Sequence, residues 1–252
     1  MQVLRSVLFN VLFYLNLILH VVVAIPTYAL PRRAFMAVAK SWGRTSNALM
    51  RVAGISVELR GLDKIPRGSL IVAAKHQSVW ETFTLLTLFD DPAYIFKREL
   101  GWIPIFGWYA VKSRMVPVDR RARGGAIAGM VERAVEELKR GRQVIIFPEG
   151  TRTAPGAPPS YKSGVVHLYA AAGVPCLPVA LNSGLYWPRR KFLRRPGTIV
   201  LEVLDPIPPG LDREEFAARL EREIETAQGR LEGRDLSPGS FLERMSIFLF
   251  MN

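Results

Sequence analysis

Residues 74–83 read "AKHQSVWETF" and follow the apolar run "SLIVA". A histidine therefore stands where a strand ends, with a carboxylate five positions on, His76 and Glu81. Imidazole titrates near neutrality and makes an effective general base once a carboxylate holds one ring nitrogen and leaves the other free. On one continuous helix, five residues turn the chain about 140° past a full turn, too far round for the two side chains to meet. The spacing suits His76 on a strand-to-helix turn and Glu81 in the first helical turn. "SVWE" is also a capping box, in which Ser78 caps the helix and Glu81 reaches back to the Ser78 N–H. A carboxylate has two oxygens and about four acceptor sites, so the structural and the chemical role can coexist.

Two further stretches could carry chemistry. In "VIIFPEGTRTAPG" (144–156) an apolar run ends at Pro148–Glu149–Gly150 and is followed by Thr151 and Arg152. Gly150 permits close approach of backbone to a ligand, and a guanidinium offers planar paired donors suited to phosphate. The same P-E-G-T run also reads as an ordinary turn. "MVPVDRRARGG" places Arg120, Arg121 and Arg123 just past another apolar run, where they could grip phosphate or simply be solvated. Ser78 lacks the G-x-S-x-G elbow of an acyl-enzyme nucleophile, and Cys176 lies in an apolar run where thiols are usually buried and inert. His167 falls mid-helix and reads as a packed or surface residue. The three histidines are scattered and no Cys/His array has zinc spacing, so no metal is expected.

The elements that must position these residues form a regular alternation. Strand-like runs are "ISVELRG", "SLIVAA", "AYIFK", "RMVPV", "QVIIF", "CLPVAL" and "TIVLEVL"; helix-like segments lie after Glu81 and at 125–140, 163–173 and 212–231. That pattern predicts an α/β fold with a mixed, mainly parallel central sheet flanked by helices. In such sheets the working residues collect on loops at strand ends, where all three chemical stretches fall. The last helix sets Phe216, Leu220 and Ile224 four apart and reads as a solvated helix with one buried stripe.

The chain has 252 residues, enough for one large α/β domain with an appendage, and a net charge of +12, which suggests an anionic partner. Its single cysteine, Cys176, excludes an internal disulfide. From Ser6 to Pro31 no residue carries a formal charge, although Asn10, Asn16 and His20 interrupt the apolar run. The segment is long enough to enter or cross a hydrocarbon core of about 30 Å, and too long for a signal-peptide core of about 7–15 residues, so a retained anchor is expected. Residues 32–54 alternate Arg32, Arg33, Lys40, Arg44 and Arg51 with apolar positions and read as a basic amphipathic helix at a membrane surface, the alternative being a helix packed on the globular part. Basic residues after the apolar segment favour a cytoplasmic location for the chain beyond it. The expected organisation is residues 1–54 as membrane-anchoring helices and 55–252 as the α/β domain. "PRRKFLRRP" (188–196) either binds an acidic partner or is a solvated loop, and the tail "FLERMSIFLFMN" is apolar but too short to span. No nucleic-acid recognition motif accompanies the basic charge, so no nucleic-acid partner is expected.

Together these stretches resemble the glycerolipid acyltransferase family, most closely its 1-acylglycerol-3-phosphate branch. "HQSVWE" stands at the family's H-x4-D motif, "MVPVDR" at its second, "FPEGTR" at its third and "VPCLPVAL" at its fourth. "FKRELGWIPIFGW" and "YKSGVVHLYA" resemble the runs between and after them, so the likeness covers roughly residues 55–205. The departure is Glu81, where the family has Asp.

The resemblance implies acyl transfer from acyl-CoA or an acyl carrier protein to the free sn-2 hydroxyl of lysophosphatidate, giving phosphatidic acid. His76 would be the base, oriented by Glu81. Arg120, Glu149, Gly150, Thr151 and Arg152 would form the phosphate pocket, with Lys97 and Lys162 in support. No metal or bound cofactor is implied. The partners would be lysophosphatidate, the acyl thioester and membrane phospholipid, with acyl carrier protein as a further candidate, at a site facing the cytoplasm. Two alternatives stay open. One is the same fold with another acceptor, glycerol 3-phosphate or a lyso-aminolipid; the other is a non-catalytic protein that binds anionic lipid.

Overall fold

A computed structural model of the chain describes residues 1–119 and 125–233. Arg120, Arg121, Arg123 and the apolar tail from 241 lie outside the described residues.

Seven strands form one sheet in the order β1-β7-β6-β2-β5-β3-β4. They are β1 (Ile55–Arg60), β2 (Leu70–Ala74), β3 (Pro92–Lys97), β4 (Val116–Val118), β5 (Gln143–Ile146), β6 (Cys176–Leu181) and β7 (Gly197–Val203). Among the pairings of these seven strands, β6–β7 alone is antiparallel. The sheet is thus the mixed, mainly parallel one that the alternation predicts, and each strand overlaps one of the seven apolar runs. Centrally, β2 pairs with β5 from Leu70↔Gln143 to Ala73↔Ile146 and with β6 from Ile71↔Cys176 to Ala74↔Val179.

"LIVAA" carries no polar alternation because both of its faces are covered. Leu70, Val72 and Ala74 point into one apolar cluster, and Ile71 and Ala73 into the other. The first cluster takes Trp80 and Phe83 from α3 (Trp80–Leu88) and Trp187, next to α7 (Ser183–Tyr186). The second takes Met130, Ala134 and Leu138 from α5 (Gly125–Lys139), Leu168 from α6 (Gly164–Ala172) and Phe216, Leu220 and Ile224 from α8 (Arg213–Leu231). The helix α8 begins where Asp212 accepts hydrogen bonds from the Glu214 and Glu215 N–H groups, satisfying two of the donors a helix start leaves open. Two short helices, α4 (Phe106–Lys112) and α7, carried no periodic signal because each is too short for a helical repeat to show.

The N-terminal helices α1 (Gln2–Ala24) and α2 (Arg32–Leu49) pack on the first face. Phe9 and Phe13 of α1 belong to its apolar cluster, and Phe13 meets the Trp187 ring edge-on at 5.3 Å. The polar interruptions of the apolar run mark the side by which α1 docks. Asn10 Nδ2 donates to the Phe192 carbonyl at 3.2 Å, Asn16 Nδ2 to Ser46 Oγ at 3.0 Å, and the His20 ring contacts Ser41 Oγ at 3.3 Å. The opposite side exposes Leu4, Val11, Leu15, Ile18 and Val22. Residues Gln2–Tyr28 are apolar and long enough to cross a bilayer.

α2 lies against α3, so close at Gly43 that an added Cβ would stand 2.7 Å from the Phe83 carbonyl oxygen. Trp80 Nε1 donates to Asn47 Oδ1 across that contact. Of its basic residues, Arg32 pairs with Asp91 and Lys40 donates to the Phe89 and Asp90 carbonyls, while Arg33 and Arg44 are exposed.

Candidate active site

The carboxyl ends of three adjacent strands, β6, β2 and β5, converge on one place. The chain leaving β2 supplies Lys75, His76 and Gln77; that leaving β5 supplies Glu149 to Thr153; that leaving β6 supplies Ser183.

Glu81 sits in the first turn of α3 and is fully buried. Its Oε1 accepts from His76 Nδ1 at 2.8 Å, from the Gln77 N–H at 2.7 Å and from the Ser78 N–H at 2.6 Å. Its Oε2 accepts from Ser183 Oγ at 2.8 Å. Capping and ring orientation thus fall on the same carboxylate. The helix begins one residue later than the capping box implies, and Ser78 Oγ accepts from the Trp80 N–H at 3.3 Å. The tautomer that satisfies this contact has the proton on Nδ1 and leaves Nε2 as the acceptor. Among the described residues Nε2 has no hydrogen-bond partner. The ring stacks on Phe147 at 3.9 Å between centroids, and its side chain is 16% exposed, so solvent and solutes reach it.

Glu149 ties the second loop to the first. Lys75 Nζ lies 2.8 Å from its Oε1, Thr153 Oγ1 donates to the same oxygen at 2.8 Å, and the His76 N–H approaches Oε2 at 3.4 Å. The Thr153 N–H donates to the His76 carbonyl at 2.8 Å, closing the seam. Gly150 has φ 67°, the left-handed conformation that lets its N–H return to the Phe147 carbonyl at 2.8 Å. Glu149 is buried, so it shapes the loop from beneath.

Arg152 is half-buried and Thr151 exposed at the mouth. Burial, together with the charges of Arg189 and Arg190, pushes the Arg152 guanidinium below its ordinary range, against the opposing pull of Glu81. Three guanidinium groups therefore share one field with the carboxylate that holds His76. Such a cluster is favourable for a doubly charged phosphate. Lys97 Nζ lies 3.4 Å from Glu99, and Lys162 Nζ donates to Ser160 Oγ, so neither ammonium touches the His76–Glu81 pair. The Lys162 N–H does donate to the Pro148 carbonyl at 2.9 Å, steadying the loop. Arg120 lies outside the described residues.

Four contributors were not legible as site residues. Lys75 is 3% exposed and pairs with both Glu149 and Glu225, the latter at 2.6 Å. Glu225 belongs to the charged side of α8, which is therefore not wholly solvated. Its oxygen also accepts from Tyr161 at 3.1 Å, and burial with the neighbouring glutamates pushes that phenol far up. Ser183 is buried against Glu81. Arg189, from the basic run at 188–196, donates to the Arg152 carbonyl at 3.2 Å; the run of charge was the available signal, without a partner to anchor it. Cys176 is buried and its thiol pushed up by that burial, which leaves it unreactive. An apolar groove of about 420 Å³ runs along α1 between Tyr14 and Phe192 and does not include His76.

Comparison with known proteins places the chain in a family. The family described as Acyltransferase matches residues 56–182. A 1-acyl-sn-glycerol-3-phosphate acyltransferase of Pseudomonas aeruginosa is 41% identical over 172 residues, which cover 68% of this chain and 67% of that protein. The alpha form from Mus musculus is 32% identical over 158 residues, covering 61% of this chain and 55% of its own length. The crystal structure of PlsC, the 1-acyl-sn-glycerophosphate acyltransferase of Thermotoga maritima, superposes with a TM-score of 0.77 at 25% identity, over 94% of this chain and all of that one.

Proposed function

The chain belongs to the Acyltransferase family, and on that premise we propose that it moves a fatty acyl group from a thioester to the sn-2 hydroxyl of 1-acylglycerol 3-phosphate, giving phosphatidic acid. The observation that carries this reading is the 2.8 Å contact from His76 Nδ1 to Glu81, which leaves Nε2 as an open acceptor on a partly exposed ring.

In the proposed reaction Nε2 takes the proton of the lipid hydroxyl as its oxygen attacks the thioester carbonyl. A C–O bond forms, the tetrahedral adduct collapses, and the C–S bond breaks. The departing thiolate then receives the proton from the imidazolium. Glu81 holds the ring and stabilises its charged form, as carboxylate partners of catalytic histidines do. Arg152 binds the substrate phosphate together with Arg189, and Arg120 joins them by its place in the second motif. Gly150 and Thr151 line that pocket and Glu149 keeps its floor, while Lys97 and Lys162 act as supporting cations. The acyl donor is acyl-CoA or an acyl carrier protein. Residues 1–54 serve as the anchor, with the site in the α/β part facing the cytoplasm. A lipid acceptor and an apolar donor chain both favour work at a bilayer, because each buried CH2 contributes about 0.8 kcal/mol.

The test is turnover in membranes supplied with a labelled acyl donor and a panel of acceptors. The panel holds lysophosphatidate, glycerol 3-phosphate and a lyso-aminolipid. Wild type should acylate lysophosphatidate foremost, and His76→Ala should not. Equal labelling of another acceptor would move the assignment to that substrate. Lipid binding without turnover by the wild type would end it.

A further inference from the structure

The turn Arg98–Trp102 and the helix α4 beyond it put their apolar side chains on the outside of the molecule. Trp102 is 71% exposed, Trp108 60% and Val111 76%, and Ile103 and Phe106 are close to half. These side chains do not pack into the core.

The backbone beneath them is closed and strained. The Phe106 N–H donates to the Pro104 carbonyl at 2.8 Å, and Ile105 between them has φ 70° and ψ −55°. That is a γ-turn of the disfavoured hand, centred on a β-branched residue. Gly107 meets Gly101 so tightly that an added Cβ would stand 1.9 Å from the Gly101 carbonyl oxygen. Strain of this kind persists only where the surroundings over-determine it, and it clusters where a segment has work to do. The run is a tightly closed knuckle that carries large apolar groups on its outer side.

The knuckle also continues the exposed apolar side of α1. Tyr109 stacks on Phe35 at 4.6 Å, and its hydroxyl donates to the Val21 carbonyl at 3.2 Å. Lys112 Nζ donates to the Tyr28 and Leu30 carbonyls at 2.8 and 2.7 Å. The joined surface has cations at its rim: Lys97 and Arg98 where the knuckle begins, Lys112 where it ends, and the exposed Arg33 at the start of α2. Lys97 and Arg98 have acidic neighbours in Glu99 and Asp119; the chain as a whole still carries +12.

We propose that residues 101–111 form a second lipid-contacting element, which sets Trp102, Phe106 and Trp108 into the headgroup–acyl boundary of an anionic phospholipid leaflet beside α1. Tryptophan is the side chain best suited to that boundary, with an apolar body and one polar N–H, and basic rims add attraction to anionic headgroups. Two points of attachment would fix how the sheet's carboxyl edge is presented to the leaflet. The inference rests on the reading that α1 engages the membrane.

The chain's own tryptophans supply the test. Of the five, Trp80 and Trp187 are buried and Trp42 packs against the core, leaving Trp102 and Trp108 exposed. Full-length protein is to be reconstituted with phosphatidylcholine–phosphatidylglycerol vesicles, with or without brominated acyl chains. Bromolipid should quench the wild-type emission. Quenching should fall by about twofold or more in Trp102→Phe/Trp108→Phe, which still floats with the vesicles. Trp102→Glu/Trp108→Glu should bind vesicles about tenfold more weakly while α1 is unchanged. A floating Phe variant with unaltered quenching, or a Glu variant with unaltered binding, overturns the second element alone. So does an unquenched wild type that sediments as a dimer, its knuckle covered by a second copy. Wild type that fails to float overturns the α1 reading with it.

Discussion

The same mixed sheet buries charge at both of its ends, and the two networks differ in one respect. At the amino ends, Arg142 is 2% exposed and donates to Glu137 at 2.6 Å and to the Pro92, Ser113 and Arg114 carbonyls at 3.0 Å each. It also lies 3.2 Å from Asp91, which Arg32 holds from the other side. At the carboxyl ends, Lys75 is 3% exposed between Glu149 and Glu225. Both networks satisfy a buried cation with carboxylates, as the desolvation cost of an unpaired charge demands. The Arg142 network runs through Asp91 to the partly exposed Arg32 and holds no imidazole. The Lys75 network abuts His76, whose outer ring nitrogen is left open at a solvent-accessible surface. Buried charge by itself therefore says little about function, whereas an open, oriented proton acceptor beside it says a good deal.

Four substitutions press on that contrast. His76→Ala should lower kcat by roughly 10²–10⁴-fold, with folding, followed by thermal denaturation, nearly unchanged. If instead stability falls and turnover per folded molecule persists, the two ends are alike after all. Arg142→Met should do the reverse, costing about 1–3 kcal/mol in denaturant unfolding because it takes the guanidinium donor from the Pro92, Ser113 and Arg114 carbonyls while Glu137 keeps Arg140, and turnover per folded molecule holds.

Glu81→Gln sharpens the comparison within the site. The amide oxygen can still cap α3, so the fold should survive, but the charge that favours the imidazolium is gone. A loss in kcat of about 10²–10⁴-fold is expected, and a normal rate would reduce Glu81 to a cap. The smallest effect belongs to Asp91. Burial raises its carboxyl, but the hydrogen bond from Arg32 and the charges of Arg142 and Arg32 outweigh it, leaving the group below the usual carboxylate range. A depressed carboxylate stabilises the fold above the ordinary value near pH 4 and loses that contribution as pH falls through its folded value. Asp91→Asn should therefore flatten the acid limb of the stability curve. About 1 kcal/mol is expected, since the side chain is 31% exposed and partly screened by solvent. An unchanged acid limb would show that the Arg32 pair is too solvated to matter.

Local order was the legible part of the fold. Seven apolar runs became seven strands, and the stripe of Phe216, Leu220 and Ile224 went into the core as its spacing required. The histidine-to-glutamate spacing needed a turn before a helix, and the chain makes one. Less legible was anything that depended on a distant partner. The charged side of α8 read as solvated because Glu225 meets Lys75 only across 150 positions. The basic run at 188–196 had two readings until Arg189 was seen against Arg152 and Arg194 against Trp187 and Asn10. Burial brings the Arg194 guanidinium down to about 10.

By itself, then, the sequence determined which segments are strands and helices, that the chemical residues lie at strand ends, and that an uncharged apolar segment precedes them. These conclusions come from periodicity, turn chemistry and charge, all properties of neighbours along the chain. Only the tertiary structure decided that β6, β2 and β5 lie side by side, so that Ser183, His76 and Glu149 share one place. It also decided that Asn10, Asn16 and His20 face protein, and that Trp102 and Trp108 face outward. Strand order and burial arise from contacts between residues far apart in sequence, where no local pattern records which partner covers which face.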